Sequence, residues 1–140
     1  MASVGGTLCA RATCMIATCV EELMVYQKAL DAADEISAYL GRHSFREDPK
    51  LRDQLSASSD RVAASISEGF GQHTDRHFAK YLVTSRGSSK ETRTHLRIAR
   101  GRGYLTGPEQ LTTSNRYDEI EKMLTGLIKH LRREDRKWRG

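Results

Sequence analysis

Proline, aromatic residues and long apolar runs are scarce in this chain, and each scarcity removes a class of protein. Two of the 140 residues are proline and 6% are aromatic, too few for the aromatic-rich strands of a sheet sandwich. With so few helix breakers, helices can run long. Nowhere do 18 apolar residues stand in a row, so no transmembrane helix is expected. Cysteine is confined to the first twenty residues, at Cys9, Cys14 and Cys19. Positions five apart rotate by about 140° on a helix, so the thiols do not converge, and the spacing matches no zinc pattern. An odd cysteine count, a single early Arg11 and no clean cleavage site argue against a secretory signal and for a reducing cytoplasm. Residues 1 to 17 read as a flexible N-terminal extension, or as an artefact of where translation was taken to begin.

What is present points to helices. Apolar residues make up 38% and charged residues 29%, the profile of a soluble helical protein, and the length suits one domain. The formal net charge of +5 favours anionic partners, nucleic acid ahead of a membrane surface.

Four amphipathic segments follow one another. Thr18-Cys19-Val20-Glu21 reads as a capping box opening a first helix, whose apolar stripe is Leu23, Tyr26, Leu30, Ala33, Ser37 and Leu40, up to Gly41. Asp48-Pro49 supplies a cap and a first-turn proline for a second helix. Its stripe is Leu51, Leu55, Ser59, Val62, Ile66 and Phe70, closed by Gly69 and Gly71. Thr74 caps a third, with Phe78, Leu82, Ser85, Ser89, Thr92, Leu96 and Ala99 on one face and Gly101 and Gly103 at its end. Thr106-Gly107-Pro108-Glu109 opens a fourth, with Leu111, Tyr117, Ile120, Leu124, Leu127 and Leu131 in a row and a poor helical stretch at Thr112 to Asn115. Short connections favour antiparallel neighbours, so the expectation is an all-α, antiparallel up-down-up-down four-helix bundle over residues 18–133. Residues 134–140 read as a basic C-terminal tail.

Beside the apolar face of the third helix runs a row of cations: Arg86, Lys90, Arg93, Arg97 and Arg100. With Phe78 at zero on a helical wheel, the core positions fall within about 40° of that direction and the cations centre near 80°. Over about 21 Å this gives a cation every 5 to 6 Å or so, comparable with phosphates along a nucleic-acid strand. Dense like charges cost stability unless something anionic neutralises them. The alternative is a solvated face whose charges pair with neighbouring carboxylates such as Asp31, Asp34, Glu35, Asp118, Glu119 and Glu121. A second basic cluster, Lys129, Arg132, Arg133, Arg136 and Lys137 (with Arg139 beyond it), includes Trp138, an aromatic suited to stacking on a base. A solubilising tail is its plainer reading.

The segments LMVYQKALDAADEI, DQLSASSDRVAASISEGFG, FAKYLVTSRGSSKE, LRIARGRGYL and IEKMLTGLIKHL, between Leu23 and Leu131, together resemble the four-helix-bundle proteins encoded within intervening sequences of 23S ribosomal RNA genes. The runs from Ser65 to Gly71 and from Gly87 to Glu91 are the most telling. The resemblance implies a homopentameric ring, association with RNA and no established reaction. More distantly, the chain is similar to the accessory protein of diversity-generating retroelements, which implies nucleic acid and a reverse transcriptase as partners. It departs from the family pattern at Ala63 and Ser65, where proline and asparagine are usual, at Asp60 and Arg61, and where Lys90, Arg93 and Arg97 replace acidic residues.

Chemistry is poorly provided for. His73 and His77 are four apart, but a third metal ligand is missing. Glu68 is a candidate buried carboxylate with a structural role, hydrogen-bonded to a neighbouring helix. No serine, cysteine or histidine set suggests an activated nucleophile, and no cofactor is implied. The sequence therefore predicts a non-enzymatic basic four-helix-bundle scaffold that binds RNA or DNA, RNA favoured, through phosphate contacts from the Lys/Arg stripe on the third helix. The alternative is a protein-protein assembly module without nucleic acid.

Overall fold

Asp48 and Pro49 begin the second long helix as the sequence predicts: the Asp48 carboxylate accepts the Leu51 N–H at 3.3 Å, and proline occupies a first-turn position that needs no donor. The structure, a computed structural model, describes residues 17–139, so Cys9, Cys14 and nearly all of the expected extension lie outside the described residues. The long helices are α1 (Met24–Leu40), α2 (Pro49–Phe70), α3 (Asp75–Gly101) and α4 (Gly107–Arg139). A 3₁₀ turn, Val20–Glu22, precedes α1, and one helical turn, His43–Arg46, joins α1 to α2. Among the described residues there is no strand, and the fold is all-α.

Cross-helix hydrogen bonds fix the direction of each neighbour. Residue numbers rise along α3 as they fall along α2, from Ser85 bonding the Val62 carbonyl (2.7 Å) to Thr92 bonding Ser58 (3.0 Å). The same reversal holds between α3 and α4, from Arg86–Thr125 (3.1 Å) to Arg100–Gln110 (3.1 Å). It holds again between α1 and α4, from Lys28–Glu119 (3.0 Å) to Arg42–Glu109. Neighbouring helices across these three seams are therefore antiparallel, and α4 closes the bundle against α1.

Every residue of the stripes predicted for α2 and α3 is buried, and Ser58, Ala63, Ser65 and Gly69 on α2 and Ala79 and Ser88 on α3 are buried with them. Where the two helices meet, the seam carries small buried side chains, Ser58, Ser85 and Thr92 among them, while buried Ser89 turns to α4 and donates to the Tyr117 carbonyl and to Glu121. Hydroxyls along it bond backbone carbonyls or one another, which removes the cost of burying them. Gly69 permits the closest approach: a Cβ there would stand 2.6 Å from Tyr81 Cβ and 2.9 Å from the Phe78 ring.

One end of the bundle is clasped. The Asp48 carboxylate accepts from Arg102 (2.7 Å) and from the Tyr104 hydroxyl (2.8 Å), and Arg42 pairs with Glu109 while lying 4.9 Å over the Tyr39 ring. Glu109 and Thr106 form the predicted reciprocal capping box, at 2.9 and 3.2 Å.

Four expectations change. The first helix buries Val25, Ala29, Ala32, Ile36 and Leu40, whereas Leu30 and Ser37 are exposed and Tyr26 and Ala33 half-buried. Two stripes of equal period compete there, and the one that carries Ala29 and Ala32 is the buried one. The expected capping box before α1 is not formed: Thr18 donates its N–H and hydroxyl to the Glu22 carboxylate, not Glu21, at 3.0 and 2.8 Å, and Cys19, at the N-cap of the 3₁₀ turn, makes no side-chain cap. Thr112 to Asn115 is unbroken helix: Thr113 is locked by Tyr39 (3.0 Å) and by Glu35, and Ser114 by Arg93 (3.2 Å). Leu111, expected inside, is 52% exposed, while Gln110 is buried.

Candidate nucleic-acid interface

The five cations of the α3 row do share one side of the helix, and that side faces α4. Lys90 pairs with Glu121 at 3.0 Å; Arg93 reaches Glu121 at 3.1 Å and Asp118 at 3.5 Å, and donates to Ser114. Arg86 donates to Thr125 and Arg100 to Gln110. Arg97 is exposed, with no ion pair among the described residues. The anchor is Glu121, 5% exposed, which also accepts the Ser89 hydroxyl at 2.9 Å. A buried carboxylate left unpaired is costly, so this charge is held by the two cations beside it. The nearby Asp118 carboxyl is held below its ordinary range, first by Lys122 at 3.1 Å. Much of the row is thus compensated from within the chain, by two of the carboxylates that the sequence offered as partners.

The second cluster has another setting. Past Leu131, α4 continues as helix to Arg139 and lies alongside the first turns of α3. Between them is a groove of about 1370 Å³ at the unclasped end of the bundle. Arg76 and Lys80 line it from α3, with His73, Thr74, Asp75 and His77 beside them, and Arg132, Glu134, Asp135, Arg136, Lys137 and Trp138 line it from α4. Among the described residues no carboxylate pairs with Arg76, Lys80, Arg132 or Arg136, while Lys137 is tied to Glu134 at 3.3 Å. Trp138 is 88% exposed. Lys129 and Arg133 are exposed on α4 but do not line the groove.

Arg76 and Lys80 escape a reading of sequence because they are unremarkable helix-surface residues until the end of α4 is laid against them. The histidine pair is local structure: His77 Nδ1 lies 2.9 Å from the Thr74 hydroxyl, which caps α3 by accepting the His77 N–H at 3.1 Å. Among the described residues no three His, Cys, Asp or Glu side chains are placed to hold a metal ion. Glu68, expected inside, is exposed, because it stands opposite Ile66 and Phe70 on α2. No described helix is long and apolar enough to cross a membrane.

A bundle of four antiparallel helices with cations gathered on one helix flank and at one end defines an all-α scaffold. Residues 21–126 match the model of the 23S rRNA-intervening sequence protein family, and the chain belongs to that family. A solved structure, a protein of unknown function from the S23 ribosomal protein family of Bacteroides thetaiotaomicron, is similar at a TM-score of 0.70 and 23% identity, covering 76% of this chain and 99% of that one. No curated protein matches.

Proposed function

We propose that this protein is a non-enzymatic scaffold of the cytoplasm that binds nucleic acid, RNA ahead of DNA, through phosphate contacts made chiefly at the unclasped end. The observation that carries this reading is the contrast between its two basic clusters. On α3, Lys90 and Arg93 face carboxylates of α4; at the end groove Arg76, Lys80, Arg132, Arg136 and Lys137 outnumber Asp75, Glu134 and Asp135, and of the cations only Lys137 forms an ion pair among the described residues. Cations left unneutralised side by side repel one another, and an anionic ligand relieves that cost. Arg97, and Lys90 at the edge of its ion pair, extend the basic surface along α3.

Assembly into a homopentameric ring, and service to a nucleic-acid enzyme such as a reverse transcriptase, are the partner arrangements that fit a scaffold without its own chemistry. Light scattering reads the first. The decisive test of binding is its dependence on salt. Retention of RNA must fall steeply as ionic strength rises, because each phosphate contact releases counterions. Binding that ignores salt, or none at low salt, favours the reading as a protein-protein assembly module.

A further inference from the structure

The end groove holds one feature that phosphate contacts do not use. Trp138, the single tryptophan of the chain, is 88% exposed at the rim of that groove. An indole normally buries a large apolar area, so one left in water contributes nothing to the core. The groove lining it shares is rich in cations from two helices, Arg76 and Lys80 on α3 and Arg132 and Arg136 on α4, in excess over the carboxylates of Asp75, Glu134 and Asp135. A flat aromatic face beside a track of cations serves both halves of a nucleotide, the base by stacking and the phosphate by charge. A duplex offers its phosphates to such a track, but its base faces are stacked inside it, and only the terminal pair could meet the ring. An unpaired strand offers every base face.

Resting on the nucleic-acid reading above, we propose that the groove between the start of α3 and the end of α4 selects single-stranded nucleic acid, with Trp138 stacking on an unpaired base while Arg76, Lys80, Arg132 and Arg136 hold the flanking phosphates. Base stacking is indifferent to base identity, so the site is sequence-tolerant. The apolar surface of Trp138 is thereby explained by its ligand and not by the fold.

Because Trp138 is the sole indole, its emission reports on the site directly. Single-stranded RNA and DNA of about ten nucleotides, a length within the usual range for such sites, and blunt duplexes of the same length are titrated into the full-length chain at low salt. The proposal expects quenched emission and tighter binding with the single strands of either sugar. Trp138→Ala, which removes nothing from the core, should weaken single-strand binding about tenfold and leave duplex binding unchanged, with Trp138→Phe recovering most of the loss. Duplex binding as tight as single-strand binding, with unchanged emission and no effect of Trp138→Ala, overturns single-strand selection while leaving the nucleic-acid reading intact. Failure of every oligonucleotide to bind overturns both.

Discussion

At the scale of single residues, Glu121 is the side chain whose removal tests how the α3 row is used. It is buried and accepts from Ser89, Lys90 and Arg93. Glu121→Ala removes an acceptor shared by three donors, but Ser89 keeps the Tyr117 carbonyl and Arg93 keeps Asp118 and Ser114, so it should cost about 1 to 2 kcal/mol in urea unfolding. An unchanged midpoint would mean that the pairing contributes nothing. The same contact makes Arg93→Glu a poor probe of binding, because it sets a second carboxylate against Glu121; Arg97→Glu is the cleaner change.

Acid gives a second test at this scale. The Arg42 guanidinium and the Thr106 N–H hold the Glu109 carboxyl down to about 2, from an ordinary value of 4.5. The Tyr104 hydroxyl, the Leu51 N–H and Arg102 lower that of Asp48. A depressed carboxyl stabilises the fold fully above its unfolded value, and that contribution is lost as pH falls through the folded one. Urea midpoints should therefore drop between about pH 4.5 and 2, and Glu109→Gln should flatten part of the drop. An acid profile left unchanged by that substitution would show that the clasp is not electrostatic.

At the scale of elements, the α2–α3 seam is set by what is small. Gly69→Ala pushes a methyl into Tyr81 Cβ and the Phe78 ring. Neither neighbour is a flexible tip, so the helices must part, and destabilisation of about 1 to 3 kcal/mol follows. Thermal unfolding at the parental temperature would contradict the close approach. This seam was legible in sequence because its serines and threonines recur with the helical period between larger apolar residues, so only one face qualified. In α1 the same rule had two solutions, and the alanines of the buried one carry little hydrophobic signal. Helix α4 was misread at Thr112 to Asn115 because propensity is local. What holds Thr113 and Ser114 in helix is Tyr39, Glu35 and Arg93, all distant in sequence. The cation rows were legible for the same reason as the core, by period. Which row would be neutralised was not, because Asp118 and Glu121 meet Arg93 only once α4 folds back along α3.

At the scale of the molecule, the bundle is asymmetric from end to end. The Asp48 and Glu109 clasps tie the inter-helix connections at one end, and the charged groove opens at the other. The proposed binding surface lies at the second end. The measurement that tests this most directly compares Arg132→Glu/Arg136→Glu with Arg97→Glu, in RNA binding at low salt with helicity checked by circular dichroism. The expected result is that reversal at the end groove abolishes binding, that reversal at Arg97 weakens it only in part, and that both variants stay folded. Undiminished binding by the folded end-groove double variant would contradict it.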